Sequence, residues 1–212
     1  VDLRYVILMA INLCISNMNQ GREPYVRAAF EWYRLGLHRD VIANNGQMTR
    51  ATYLNIVANA IKLAEHPWAA SFIEEDTYQL EEDIRENTES FARARLAYEQ
   101  KDYDTGMPLL AQVDFKRPVY NILAKTLQLK IYYEIDEYDA MDSQLDSMTT
   151  YLRRKTLSDL HKDNFVNIIR FVRRVSRLTP GDRAKKAELR AQIEAATPLT
   201  EKKWLLEQLD NR

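Results

Sequence analysis

The sequence predicts an all-α chain of about ten to eleven helices stacked in pairs, with no sheet. Three observations carry this prediction. A short phrase occurs twice, 35 residues apart: Tyr98-Glu99-Gln100-Lys101-Asp102-Tyr103-Asp104, then Tyr133-Glu134-Ile135-Asp136-Glu137-Tyr138-Asp139. Apolar residues on both sides of each copy recur at spacings of three and four, which places them on one stripe per helix. Only five glycines and six prolines interrupt 212 residues, which suits long helices and short connections.

Taken in chain order, 3–18 reads as a helix ending near Gly21. Pro24 opens a second, with Ala28, Ala29, Trp32, Leu35 and Leu37 on its apolar side and Tyr25 and Tyr33 adding aromatic packing. Asn44-Asn45-Gly46 is a turn signal; both flanks are helical, so it reads as a helix-to-helix loop. Thr49 is a candidate N-cap for the helix carrying Tyr53, Ile56, Val57, Ala60, Ile61 and Leu63, and His66-Pro67 is read as its stop. The partner helix over 68–80 carries Phe72 and Ile73.

The repeats follow. Phe91, Ala94 and Tyr98 precede the first aromatic turn, and Leu123, Leu127 and Ile131 precede the second. Downstream lie Tyr103, Met107 and Leu110, then Tyr138, Met141, Leu145 and Met148. About four polar residues join the two helices of each copy, so neighbours are predicted antiparallel. One such pair cannot bury its stripe alone and needs copies stacked against it. A weaker echo aligns Ile61, Leu63 and Trp68 with Leu96, Tyr98 and Tyr103. The longest helix is predicted over 156–178, with Phe165, Ile168, Ile169, Val172 and Val175 inward. Thr179-Pro180-Gly181-Asp182 ends it and caps a helix over 183–196. After Thr197-Pro198-Leu199-Thr200, Thr200 is read as the cap of a last helix with Trp204, Leu205 and Leu209. A polar penultimate helix and a short Trp-anchored one read as the end of a stack.

The two copies resemble tetratricopeptide repeats (TPRs), a family of helix pairs. Tyr103 and Tyr138 match the aromatic that opens the second helix, after Asp102 and Glu137. Pro118 falls where the family closes its unit with proline. The small residue of the second helix is Gly106 in one copy but Met141 in the other, and Arg153 stands where a second closing proline would be. The units are therefore divergent. The resemblance implies a right-handed α-solenoid of antiparallel helix hairpins, a single domain over 1–212. Its clearest repeats are 87–118 and 119–154, with a weaker one over 49–83 and C-terminal capping helices over 156–212. Val1 already lies in a helical pattern, which suggests a longer chain with earlier repeats.

Composition bounds the chemistry. With 46% hydrophobic and 29% charged residues the chain reads as an ordinary helical protein large enough for a core. A net charge of −1 gives no global polyelectrolyte argument for nucleic acid. The single cysteine, Cys14, excludes an internal disulfide and a cysteine-based zinc site; its apolar neighbours predict a buried structural thiol. The longest apolar run, 5–11, is too short to span a membrane. Asp2 and Arg4 precede no cleavable leader, and the cytoplasm is the expected compartment. Glu74-Glu75-Asp76 and Glu81-Glu82-Asp83 lack the alternating ligands and glycine of a calcium loop. His38, His66 and His161 sit in no metal motif, and neither a phosphate loop nor a nucleophile elbow occurs. No catalytic residue, cofactor or metal is therefore assigned, and the chain is not read as an enzyme.

Two binding surfaces are candidates. Arg170, Arg173, Arg174 and Arg177 follow i, i+3, i+4, i+7 spacing and share one helical face. Residues 151–190 hold twelve Lys/Arg against four Asp/Glu, and 65–104 hold four against twelve. This face reads either as a site for acidic protein or nucleic acid or as a solvated face neutralised by acids of its own chain. Separately, Arg95 and Lys130 match a groove position that the TPR resemblance implies, with Tyr98 and Tyr133 one turn on. There an acidic motif or peptide carboxylate would bind, unless Glu99 and Glu134 pair with the cations at i,i+4. The expectation is a non-catalytic protein–protein interaction or scaffold module with an unidentified protein or peptide partner. The alternative is a nucleic-acid or polyanion-binding protein using the basic face of the 156–178 helix. The sequence leaves the oligomeric state open.

Overall fold

The computed structural model describes residues 2–19, 22–179 and 181–212. Three positions invoked above, Val1, Gly21 and Pro180, lie outside these. Among the described residues the chain is helical throughout, with no sheet and two isolated bridges. The chain divides into two compact units, Val1–Val113 and Asp114–Arg212.

The first unit holds α1 (Leu3–Asn19), α2 (Pro24–His38), α3 (Arg50–Lys62), α4 (His66–Asp76), α5 (Glu82–Glu99) and α6 (Tyr103–Gln112). Each packs on the next, and α3 also packs on α5. Thr49 caps α3 as read from the sequence, its hydroxyl accepting the Thr52 N–H at 3.1 Å. Asn44 and Gln47 exchange backbone hydrogen bonds of 2.8 and 3.0 Å across Asn45 and Gly46, whose φ angles of 50° and 75° make a mirror-image turn. The Met48 N–H then reaches the Gln79 carbonyl at 2.7 Å, which ties this loop to the 3-10 turn Thr77–Gln79 after α4. Cys14 is buried, and burial pushes its thiol up.

Three expectations in this unit need correction. His66-Pro67 does not stop a helix but starts one, because Pro67 sits in the first turn of α4, where a missing N–H costs nothing. The chain reverses instead at Ala64, with φ of 58°. Its N–H bonds the Ile61 carbonyl at 2.9 Å and the Glu65 N–H bonds Ala60 at 3.0 Å, the pattern of a helix closed by a left-handed residue. The same two bonds recur around Asp40, Lys101 and Asp136, all at positive φ. Matched on this turn, Ala64 corresponds to Lys101, an interval of 37 residues, so the echo read at Ile61, Leu63 and Trp68 is two residues out of register. The helix predicted over 68–80 ends at Asp76, where the Thr77 hydroxyl donates to the Ile73 carbonyl and meets the Tyr53 hydroxyl at 2.6 Å.

None of the four turns carries the glycine that a left-handed residue favours. Ala64→Gly is therefore expected to stabilise the chain by about 1 kcal/mol, seen as a higher urea midpoint. A lowered midpoint would count against strain at this turn.

The second unit holds α7 (Pro118–Glu134), α8 (Tyr138–Arg154), α9 (Asp159–Ser176), α10 (Arg183–Ala195) and α11 (Lys202–Asp210). Here α7 packs on α8 and α9, and α9 on α8, α10 and α11. Phe165, Ile168, Ile169, Val172 and Val175 are buried as their spacing predicts. At 18 residues α9 shares the greatest length among the described helices with α5. Asp182 caps α10, accepting the Lys185 N–H at 3.0 Å. Thr200 caps nothing: its N–H donates to the Asn164 carboxamide oxygen at 2.8 Å, and α11 starts two residues later behind Glu201.

Candidate functional site

The two aromatic turns keep a common local geometry. Tyr98 and Tyr103 stand with ring centroids 6.0 Å apart, and Tyr133 and Tyr138 6.2 Å apart. The turn fixes this, because each pair straddles the left-handed residue that ends one helix and starts the next. A cation lies over both rings of each pair. In the first unit it is Lys101, 5.3 and 5.9 Å from the Tyr98 and Tyr103 centroids. In the second it is Arg212, at 5.6 and 5.5 Å from Tyr133 and Tyr138. Tyr138 also donates to Asp136 at 2.7 Å, which pushes its phenol up.

The candidate groove residues have different surroundings in the two units. Arg95 is half-buried on α5, its guanidinium 5.9 Å from the Phe91 ring, and Tyr98 is buried. In the second unit α11 covers the corresponding place. Lys130 Nζ lies 2.8 Å from Glu201 Oε2 and 5.5 Å from the Trp204 ring, and its side chain is 13% exposed. Trp204 packs edge-on against Tyr133 at 5.3 Å, and its indole N–H donates to Glu134 at 2.7 Å. The position that spacing offers to a partner is held by a helix of the same chain. Sequence reading missed this because Lys130 and Glu201 are 71 residues apart.

The arginine face is also shared out. Arg173 reaches Asp146 at 2.5 Å and Arg177 reaches Asp142 at 3.4 Å, both acids on α8. Arg174 turns the other way, to Glu188 at 3.9 Å and to Gln192 on α10. Only Arg170 stays out of these pairs, with its guanidinium 4.4 Å from the Phe171 ring. The spacing does put all four on the outer side of α9, but acids on both neighbouring helices divide it.

Three of the four, Arg170, Arg173 and Arg174, line a groove of about 520 Å³ between α8 and α9. Leu152 and Ile169 are buried at its floor, and Val166 is 46% exposed beside them. Arg153, Lys162 and Arg170 stand at its rim, and none of the three forms an ion pair among the described residues. Thr149, Arg173 and Arg174 complete the lining, which contains no carboxylate among the described residues. Arg153 was legible as part of a basic run, but Lys162 and Val166 were not singled out. The signal that would have found them is i,i+4 spacing: Lys162, Val166 and Arg170 share one stripe of α9.

The charge asymmetry follows the units. Residues 1–113 hold sixteen Asp/Glu against eleven Lys/Arg, and residues 114–212 hold fifteen against nineteen. Glu82 and Asp83 lie in the first turn of α5, where carboxylates favour the exposed N–H groups of a helix start. No cluster of three or more metal-ligating side chains occurs among the described residues, and none of their helices is long and apolar enough to cross a membrane.

Fold and surface together define an all-helical protein with a recurring helix–turn–helix unit and a basic, apolar-floored groove in its second half. Comparison with protein-family models, with curated proteins and with solved structures finds no match.

Proposed function

We propose that this chain is a non-catalytic protein–protein interaction or scaffold module, built as a right-handed α-solenoid of antiparallel, TPR-like hairpins. The observation that carries the reading is the repeated junction. At Lys101 and Asp136, 35 residues apart, the same pair of backbone bonds closes one helix, and a tyrosine opens the next. Support also comes from packing within each unit, where each helix packs on the next and α3 packs on α5 and α7 on α9, as in stacked repeats. Such an array offers long surfaces made of many helices, which suits recognition of another chain better than enclosure of a small substrate.

The second reading, a polyanion-binding protein, rests on three cations of α8 and α9 that form no ion pair among the described residues, Arg153, Lys162 and Arg170. Salt separates the two. Binding that follows phosphate neutralisation falls steeply and linearly with the logarithm of salt, whereas a protein interface with an apolar centre retains most of its affinity.

The test is affinity capture from the native host with the intact chain, alongside Arg95→Glu and Arg170→Glu variants of unchanged melting temperature. The expected result is a defined protein partner, retained by the wild type and lost from one variant. Recovery of nucleic acid alone, equally salt-labile from every DNA or RNA offered, would replace the module reading with the second one. A turnover activity abolished by substitutions at one site would overturn both.

A further inference from the structure

We infer that the groove between α8 and α9 is a binding site for an acidic, amphipathic peptide segment, whose apolar side chains enter over Val166 while its carboxylates meet Arg153, Lys162 and Arg170. This rests on the interaction-module reading and assigns that module a site and a partner chemistry. Three features of the groove select the occupant. Its lining carries five cations and no carboxylate among the described residues, and three of the five have no acidic partner there. An anion arriving at those three displaces no existing ion pair. Its floor is apolar: Leu152 and Ile169 are buried, and Val166 remains 46% exposed on the outer side of α9, an aliphatic surface that a partner's side chain can cover. Finally, the lining on α9 runs from Lys162 to Arg174, more than three turns of one helix, a length over which a helical ligand can lie alongside.

Other anions fit less well. Single-stranded nucleic acid gains much of its affinity by stacking bases on aromatic rings, and no aromatic side chain lines the groove among the described residues. A lipid headgroup surface meets convex faces, whereas this apolar surface lies in a groove between two helices. The acidic peptide alone uses the floor and the rim together. The rim charges speed encounter and reject basic sequences, and the apolar contact holds the complex.

The experiment titrates the intact chain with a fluorescent, capped synthetic helix carrying leucines at i, i+3, i+4 and i+7 and glutamates on its remaining face. Polarisation is the readout. A control peptide replaces every leucine with serine at equal charge. Wild type is expected to bind the amphipathic peptide at least about tenfold more tightly than the control, because the buried leucines supply the apolar contact. Val166→Asp and the double variant Arg153→Glu/Arg170→Glu are each expected to weaken binding about tenfold or more. These positions are exposed or at the rim, so the variants keep the wild-type circular dichroism and melting temperature; Val166→Ser serves as a second substitution if Val166→Asp does not fold. Equal affinity for the serine control, or affinity unmoved by the variants, overturns the inference. So does single-stranded RNA binding with the same variant sensitivity as the peptide. No binding at the highest soluble peptide concentration also overturns it, and leaves the module reading to be decided by capture of the native partner.

Discussion

Trp204→Ala is expected to destabilise the chain by about 3–5 kcal/mol, a loss large enough to lower the urea midpoint severely. The indole is 7% exposed and binds α11 to α7 in three ways. It packs edge-on against Tyr133 at 5.3 Å, donates to Glu134 at 2.7 Å, and lies 5.5 Å below Lys130 Nζ. Alanine leaves a cavity in the core that also holds Leu205 and Leu209, both fully buried, and removes one donor from Glu134. Removing one partner of a buried hydrogen bond costs more than the bond contributes net. Trp204→Phe separates the effects, since it keeps a ring against Tyr133 and loses only the donor and some volume. That variant is expected to lose about 1–2 kcal/mol. A Trp204→Ala loss below about 1 kcal/mol would mean that α11 does not depend on this anchor for its place on α7.

The same region shows which features could be read from residues and which could not. Helix positions were legible because they depend on near neighbours: three-and-four spacing gave the buried face of α9, and Thr49 and Asp182 were recognisable caps acting within three residues. Errors arose where two local rules competed. His66-Pro67 satisfies both a stop and a start, and the deciding residue, Ala64 at positive φ, carries no glycine to announce itself. For the candidate sites the limit was distance along the chain. Glu201 approaches Lys130 from 71 residues away and Trp204 approaches Glu134 from 70, so i,i+4 reasoning could not anticipate either contact. The arginine face was legible as a face, but Asp142, Asp146 and Glu188 divide it from other helices. Periodicity locates a side chain on its own helix; what covers it is decided by the packing of others.

At high pH the first unit is expected to lose stability through Tyr33 and Tyr53. Both rings are buried, at 2% and 0% exposure, and burial pushes each phenol up to about 12 from an ordinary 10.0. For Tyr33 the nearby Cys14 thiol adds to the rise while the Asn55 side chain opposes it. For Tyr53 the bond to Thr77 opposes it, and Glu89 and Asp76 add to it. The folded state thus holds these protons more tightly than the unfolded chain. Their contribution is complete below pH 10 and is lost as pH rises through about 12. Holding a proton that much more tightly is worth roughly 2–3 kcal/mol per ring, so the pair together accounts for about 5 kcal/mol. Urea denaturation followed from pH 8 to pH 12 should show midpoints falling across the upper part of that range, with phenolate absorbance rising in step. Tyr53→Phe leaves the Thr77 hydroxyl its bond to the Ile73 carbonyl, so its neutral-pH loss is about 1 kcal/mol. The Tyr33→Phe/Tyr53→Phe double variant should lose most of the alkaline slope, because phenylalanine has no proton to release. An unchanged slope in that variant would place the alkaline loss on other groups, such as the lysines.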